Sequence, residues 1–171
     1  MIEKIYLDMD GVIAFFEHRW FELYGVTPAD SRERKEFSPR WDKFIEDGNF
    51  ATLPKFAGAD MLVDFVRSTG IPVEILSSSG GPKHHENVVA QKTAWLASYG
   101  YDFPINIVPG SRLKRDYATP NRILIDDTDY VLKGFTDAGG IGILHKDAEV
   151  TIELLKSILE LEDLRDGIDA V

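Results

Sequence analysis

The chain contains five short runs of apolar, largely β-branched residues, at positions 2–7, 73–76, 105–108, 123–125 and 141–144. Runs of this length and composition are typical of strands that are buried on both faces of a parallel sheet. Segments with helical periodicity separate most of them, at residues 56–68, 85–99 and 147–164. Strands that alternate with helices predict an α/β fold with right-handed crossovers around one parallel sheet.

One spacing does not fit a simple alternation of strand and helix. Residues 8–72 separate the first two predicted strands, whereas a whole βαβ unit needs only about 30 residues. We therefore expect residues 15–53 to form a small helical cap, inserted between the two parts of a core domain (residues 1–14 and 54–171). Aromatic residues recur there at helical spacing, as Phe16, Trp20, Tyr24 and as Trp41, Phe44. The stretch "PADSRERKEFSPR" is expected to be a solvated, charged turn region.

Composition and charge narrow the classes of partner. The 171 residues include 19 basic and 29 acidic side chains, a formal net charge of −10, and no cysteine. An acidic surface disfavours a nucleic acid polymer or an anionic membrane as a partner, and the missing thiols exclude disulfides and thiolate metal sites. No basic start leads into an apolar run of signal length, so we expect a cytoplasmic protein. A homodimer is compatible with these features.

Aspartate side chains follow two of the predicted strands. Asp8 and Asp10 follow the first strand, and Asp126 and Asp127 follow the fourth. Because ligands bind beyond the carboxyl ends of parallel strands, these carboxylates should meet, and their mutual repulsion calls for a cation. Oxygen ligands of this kind suit Mg²⁺, with Asp126 expected as a more direct ligand than Asp127.

Hydroxyl and ammonium groups complete a candidate phosphate site. Ser77 and Ser78 follow the second strand, and Lys114 and Lys92 are the candidate cations. Lys92 lies on the apolar face of its helix, so the lysine stem could instead snorkel over apolar surface. His145 follows the last strand, but nothing in the pattern gives it a role.

Structural alternatives exist for these patterns. Asp8–Gly11 could be a plain turn, but a calcium loop fails because Val12 and Ile13 stand where that loop needs polar ligands. Asp126 and Asp127 could cap a helix. The insertion aromatics could be the core of the cap, or some of them, Phe16, Trp41 and Phe44, could line a substrate pocket.

The polar segments, taken together, resemble the four motifs of the haloacid dehalogenase-like (HAD) phosphatases. The matching segments are "YLDMDGV", "ILSSS", a lysine upstream of the fourth strand, and "ILIDD". The resemblance covers nearly the whole chain and implies a Rossmann-like sheet with the order 3-2-1-4-5 and a Mg²⁺-dependent phosphomonoesterase. It implies that Asp8 is the nucleophile that forms an aspartyl-phosphate. Asp10 would be the acid/base, with its backbone carbonyl on the metal.

Further segments are similar to the 5'(3')-deoxyribonucleotidases. These are "DMDGVIAFFE", "TLPKFAGA", "QKTAWL" and "SRLKRDY". The similarity implies that Lys114 neutralises the phosphate and that Lys92 is the lysine of the family's "EKxxW" helix, with Gln91 replacing the glutamate. The family's Thr-Ser-Pro turn is replaced here by a longer, glycine-rich loop, "SSSGGP", which puts the nucleoside selectivity in question.

These observations lead to a functional hypothesis with open alternatives. The expected function is release of phosphate from a small phosphorylated substrate, a (deoxy)nucleoside monophosphate. The alternatives are a phosphatase for a sugar phosphate, a phospho-accepting domain like a response-regulator receiver, and a nucleotide-binding relative without activity. An insertion after the first strand speaks against a receiver, and the intact Asp8 and Asp10 speak against an inactive relative.

Overall fold

Five parallel strands form the centre of the molecule, in the order β3-β2-β1-β4-β5. The computed structural model describes residues 1–169, with side chains described through residue 164. The strands are β1 (Lys4–Leu7), β2 (Val73–Ser78), β3 (Ile105–Val108), β4 (Arg122–Asp126) and β5 (Ile141–Leu144). The predicted fold class and strand order are therefore confirmed.

Three strands have boundaries that differ from the predicted ones. The strand β1 begins at Lys4 rather than at residue 2, although Glu3 still donates its backbone N–H to Asn121 over 2.9 Å. At the other end of the sheet, β2 continues to Ser78, which pairs with Val108, and β4 continues to Asp126, which pairs with Leu144. Hydrogen bonding to a neighbouring strand thus carries polar residues of the candidate site into the sheet.

Helices cover both faces of the sheet. The core helices are α4 (Ala59–Ser68), α5 (His85–Ser98), α6 (Asp129–Asp137) and α7 (Ala148–Asp169). The predicted helices at 56–68, 85–99 and 147–164 correspond to α4, α5 and α7, whereas no pattern predicted α6. Helices α4, α5 and α7 pack with Ile5 and Leu7 on one face, and α6 packs with Tyr6 on the other. Alternate residues of a strand point to opposite faces, so each strand serves two cores.

The inserted segment folds as three helices and a short turn of 3-10 helix. These are α1 (Phe16–Tyr24), α2 (Pro28–Glu33), α3 (Phe37–Glu46) and the 3-10 helix Asn49–Thr52. The helical spacing of the aromatics predicted α1 and α3. We refer to residues 15–53 as the cap; its exact division from the core stays a prediction.

The charged stretch that was expected to be a turn region contains α2. Thr27 and Asp30 form a reciprocal capping box, and Pro28 occupies the first helical position. Both features stabilise a helix start. The fully buried Ser31 accepts a hydrogen bond from Trp20 Nε1 over 3.1 Å, so this segment is partly packed rather than fully solvated.

Among the helices that the structure describes, none combines the length and the apolar character that crossing a bilayer requires.

Candidate active site

A cleft of about 1000 Å³ opens between the carboxyl ends of the strands and the cap. Asp8, Asp10, Ser78, Lys114 and Asp126 line it, together with aromatic side chains of the cap. The segments expected to form one site, which come from β1, β2, β4 and the region before β4, thus meet at one end of the sheet. That is where the topology of an open parallel sheet places a ligand.

Asp8 and Lys114 form a buried ion pair at the floor of the cleft. Asp8 continues from β1 and donates its backbone N–H to Ile125 over 3.0 Å. Lys114 lies on the 3-10 helix Ser111–Tyr117, and its Nζ is 2.9 Å from Asp8 Oδ1 and 2.6 Å from Asp126 Oδ2. Burial by itself would lower the pKa of Lys114, but the two carboxylates outweigh burial and raise the pKa above its usual value. Lys114 therefore remains a cation at the floor of the cleft.

Three carboxylates form a compact cluster beside this ion pair. Asp8, Asp126 and Asp127 each offer an oxygen, and these oxygens all lie within 4.8 Å of one another. Burial, reinforced by the charge of Asp8, raises the pKa of Asp126 to about 6 and that of Asp127 to about 7. Carboxylates this close cannot all ionise easily without a cation. The donor set fits Mg²⁺, a hard cation that prefers carboxylate oxygens and water.

Thr128 orients both strand-end carboxylates. Its backbone N–H donates to Asp126 Oδ1 over 2.9 Å, and its hydroxyl donates to Asp127 Oδ1 over 3.0 Å. Thr128 also occupies the N-cap position of α6, so neither aspartate is the helix cap considered as an alternative. The aspartates are left with their carboxylates at the cleft, in an orientation fixed by the start of the helix.

Lys92 is buried beside Asp10. Its ammonium donates to Asp10 Oδ2 over 2.7 Å, to Ser77 Oγ over 2.8 Å and to the Ser78 carbonyl over 2.9 Å. A lysine ammonium has three N–H groups, and all three have protein acceptors here. The lysine does not snorkel to solvent. In this arrangement it holds Asp10 and β2; a contact with phosphate, for which the sequence pattern made it a candidate, stays a prediction.

The two carboxylate oxygens of Asp10 differ in their hydrogen bonding, since Oδ2 accepts from Lys92. Its Oδ1 is buried and has no hydrogen-bond partner within the described residues. Burial raises the pKa of Asp10, and the neighbouring Lys92 opposes that rise. Its side chain stands outside the three-carboxylate cluster, so any metal contact by Asp10 would come through its backbone carbonyl. A carboxyl group that retains a proton more readily than usual is suited to acid/base chemistry.

Consecutive serines at the end of β2 have different environments. Ser77 is fully buried and accepts the Lys92 bond, whereas Ser78 lines the cleft and accepts a hydrogen bond from the Gly80 N–H over 3.0 Å. Alternate strand residues point to opposite sides, which separates the two hydroxyls. Ser78 is thus the hydroxyl that the fold presents to a ligand, and Ser77 belongs to the support beneath it.

The cap places aromatic side chains in two environments. Phe16 and Trp41 line the cleft, as expected for a substrate pocket. Phe44 is fully buried in the cap core, where its ring lies 5.7 Å from that of Trp20, and this corrects its assignment to the pocket. Phe37 lines the cleft although it was not predicted to; its spacing of four residues from Trp41 on α3 was the available signal.

Gly80 permits a close approach of the cap to the core. It has φ +75°, and a Cβ at this position would lie 2.4 Å from Trp41 Cζ2. A side chain here would therefore be strained in its backbone and would displace the indole ring. Gly80, the first glycine of "SSSGGP", is thus the point at which the loop after β2 contacts the cleft wall.

Polar contacts also join the cap to the core. Asp42 of α3 accepts from Lys83 Nζ and pairs with His84 Nε2, each over 2.7 Å. Gln91 of α5 accepts from the Phe50 N–H over 3.0 Å and donates to the Ile45 carbonyl over 2.7 Å. Sequence reasoning identified none of these contacts, because each joins residues about forty positions apart.

His145 forms part of the cleft wall behind the carboxylate cluster. It donates its backbone N–H to the Asp126 carbonyl over 2.8 Å, and its Nδ1 lies 2.8 Å from the buried Thr151 Oγ1. Burial lowers its pKa, which favours the neutral ring. The histidine therefore adds no fixed positive charge to the site.

Comparisons with known proteins identify the fold. No protein-family model matches the chain, and no curated protein matches it. Among solved structures, a hydrolase from Streptococcus pneumoniae TIGR4 is similar at 15% identity and a TM-score of 0.56, over 91% of this chain and 98% of that one. A D,D-heptose 1,7-bisphosphate phosphatase from Burkholderia thailandensis is similar at 11% identity and a TM-score of 0.51, over 90% and 98% of the two chains.

A third solved structure, assigned as a β-phosphoglucomutase from Thermotoga maritima, has 16% identity and a TM-score of 0.51, over 92% of this chain and all of that one. At these identities the comparisons show the fold alone, a Rossmann-like α/β fold with one parallel sheet. The strand order 3-2-1-4-5 differs from the 2-1-3-4-5 order of receiver-type domains, which removes the receiver as an explanation.

Proposed function

We propose that this protein is a Mg²⁺-dependent phosphomonoesterase of the HAD superfamily that reacts through an aspartyl-phosphate on Asp8. One observation carries the proposal: the Asp8 carboxylate contacts the Lys114 cation and shares one carboxylate cluster with Asp126 and Asp127, with Asp10 two residues away at the same cleft. Nucleophile, counter-charge, metal ligands and acid/base are thus all available to one phosphoryl group.

The proposed reaction has two displacements. Asp8 attacks phosphorus, the bond from phosphorus to the ester oxygen breaks, and Asp10 gives its proton to the departing alkoxide. Asp10 then takes a proton from the water that attacks the aspartyl-phosphate, and inorganic phosphate leaves with Asp8 regenerated. Lys114 stabilises negative charge on the phosphoryl oxygens throughout, and Ser78 is placed to donate to one of them.

Asp8, Asp126 and Asp127 are the residues that would hold Mg²⁺. When bound, the ion supplies positive charge that offsets the charge of the phosphoryl oxygens and of the carboxylates themselves.

For the leaving group, we propose a (deoxy)nucleoside. Phe16, Phe37 and Trp41 line the cap side of the cleft, and aromatic faces of this kind stack on bases. Sugar phosphates are a second candidate, favoured by the names of two proteins with this fold, a D,D-heptose 1,7-bisphosphate phosphatase and an assigned β-phosphoglucomutase. Higher turnover of sugar phosphates than of every nucleotide would replace the first candidate and leave the phosphatase proposal intact.

The test of the reaction is phosphate release with Mg²⁺ from a panel of monophosphates, by the wild type and by Asp8→Asn. Asparagine keeps the shape of the side chain but is not a nucleophile, so we expect turnover to fall to background while the melting curve stays cooperative. Phosphate release by Asp8→Asn at a rate near that of the wild type would remove Asp8 as nucleophile.

A further inference from the structure

Two arginines line the cleft from different parts of the molecule. Arg32 lies in α2 of the cap, and Arg112 lies two residues before Lys114 in the core. Both belong to the lining that includes Asp8 and Asp10, and both are exposed, whereas the lysines of the site are buried. The cleft lining therefore includes two exposed arginine cations in addition to the buried Lys114.

Neither guanidinium has an ion-pair or hydrogen-bond partner among the side chains that the structure describes. Four other arginines pair with carboxylates, at 3.2 Å or less: Arg19 with Glu22, Arg40 with Glu36, Arg67 with Asp102 and Arg122 with Glu3. In a chain with a net charge of −10, carboxylates are abundant. Two cleft arginines without such a partner are therefore available for an anion from outside the protein.

An aromatic ring lies near each guanidinium group. The guanidinium carbon of Arg32 lies 4.2 Å from the centroid of Phe37, and that of Arg112 lies 6.0 Å from the centroid of Tyr130. Stacking against a ring engages the face of a guanidinium and leaves the N–H groups at its edge free. Those edge groups match the oxygens of a phosphate or a carboxylate, which arginine binds in bidentate fashion.

The charged side chains of the cleft lining, apart from Asp10 and the carboxylates that would hold a metal, are Glu17, Arg32, Arg112 and Lys114. This remainder is positive, which favours an anion. The transferred phosphoryl group already has Lys114 and the carboxylate cluster for its metal. A volume of about 1000 Å³ lies at the upper end of the range for small-molecule pockets, so there is room for a large leaving group.

We propose that the substrate is a phosphomonoester whose leaving group carries a second anionic group, a phosphate or a carboxylate, and that Arg32 and Arg112 bind this second group. The proposal rests on the phosphomonoesterase function proposed above and narrows its substrate class. For a nucleotide substrate it indicates a nucleoside bisphosphate, and for a sugar it indicates a bisphosphate or a phosphorylated sugar acid.

Matched pairs of substrates test the proposal. One pair is a nucleoside 5'-monophosphate and the 3',5'-bisphosphate of the same nucleoside; another is glycerol phosphate and phosphoglycerate, which adds a carboxylate. We expect the member with the second anion to have a kcat/KM at least about tenfold higher in one pair, because charge-assisted hydrogen bonds to arginine are strong. The pair that shows this preference identifies the second anion as phosphate or carboxylate.

Variants connect that preference to the two arginines. We expect Arg32→Gln and Arg112→Gln each to lower the preference, as a ratio of kcat/KM values, by roughly tenfold, since each removes a charged donor. Arg34→Gln and Arg115→Gln are the matched controls, because both residues are exposed arginines near the same positions that do not line the cleft. These controls should keep the wild-type ratio.

The outcomes separate this inference from the function on which it rests. If 4-nitrophenyl phosphate is hydrolysed in an Asp8-dependent way but neither pair shows a preference, the second-anion proposal is wrong and the phosphatase proposal stands. A preference that survives both arginine substitutions would also overturn the assignment. If the wild type hydrolyses no phosphomonoester with Mg²⁺, both proposals fail.

Discussion

The two sides of the cleft have different chemistry. On the sheet side, buried charged groups contact one another in a fixed network: Lys114 with Asp8 and Asp126, and Lys92 with Asp10. On the cap side, the lining is aromatic, with Phe16 and Trp41, and the cation Arg32 has no carboxylate partner among the described residues.

This difference indicates a division of labour. The two buried lysines on the sheet side, Lys92 and Lys114, have their acceptors within the protein, so this network is organised before a ligand arrives and suits one reaction. The cap side offers ring faces and a free guanidinium, which suit recognition of a leaving group. Changes on the sheet side should therefore affect the rate of the chemical step, and changes on the cap side should affect selectivity or the stability of the cap.

The largest effect is expected at Lys114. Lys114→Met removes the cation that lies between Asp8 and Asp126 while keeping much of the stem's volume. We expect kcat to fall by roughly 10³-fold or more, in the range seen when a charge-stabilising group is removed from an active site. Single-turnover measurement of phosphate release checks this. A loss below tenfold would mean that Lys114 serves structure rather than the reaction.

Within the cap, two neighbouring aromatics should respond differently. Phe44→Ala removes a fully buried ring and should lower the free energy of unfolding by about 3–5 kcal/mol. Trp41→Ala removes a partly exposed ring at the cleft, and should raise KM with a smaller effect on stability. Urea denaturation and steady-state kinetics of both variants check the contrast; equal losses of stability would place both rings in the same core.

The stability of the metal-free protein should depend on pH through Asp126. Its pKa of about 6 lies above the ordinary value of 3.8, so the folded state binds more protons than the unfolded state between these values. The free energy of unfolding should therefore fall as pH rises from about 4 to 7, by roughly 2–3 kcal/mol for this buried group.

Binding of Mg²⁺ should restore the lost free energy of unfolding at neutral pH, because the ion offsets the repulsion among the carboxylates. Thermal melting with EDTA and with Mg²⁺, across pH 4.5–7.5, checks the slope and its recovery. Asp126→Asn is the control, since it removes one of the titrating groups and should reduce the metal-free slope, while Asp127, whose pKa is also raised, should keep part of it. A metal-free protein that gains stability toward pH 7 would contradict the charge crowding described here.

A smaller effect is expected at Lys92. Lys92→Met leaves Asp10 in place but removes the cation that opposes the burial-induced rise of its pKa. The pKa of Asp10 should rise further, so the alkaline limb of the kcat/KM profile should move to higher pH, and kcat should fall by about 10- to 100-fold. If the limb stays where it is in the wild type, Lys92 does not act through Asp10.

Much of the sheet side could be predicted from the sequence. Apolar runs identified the five strands, and the aspartates that follow β1 and β4 had to meet because the carboxyl ends of parallel strands lie at one edge. Lys114 was predictable as a nearby cation because only a short segment separates it from β4. Local spacing and a simple topological rule were sufficient for these residues.

The tertiary structure alone decided which residues face the cleft and which support it. Helical periodicity placed Trp41 and Phe44 on similar faces of α3, but only the packing of α1 against α3 buries Phe44 and leaves Trp41 at the cleft. Likewise, only the full fold brings Lys92 to Asp10, 82 positions away. The full fold also places Arg32 and Arg112 in the lining of the same cleft. A sequence pattern fixes the period of an element, whereas contacts between distant elements depend on how the whole chain packs.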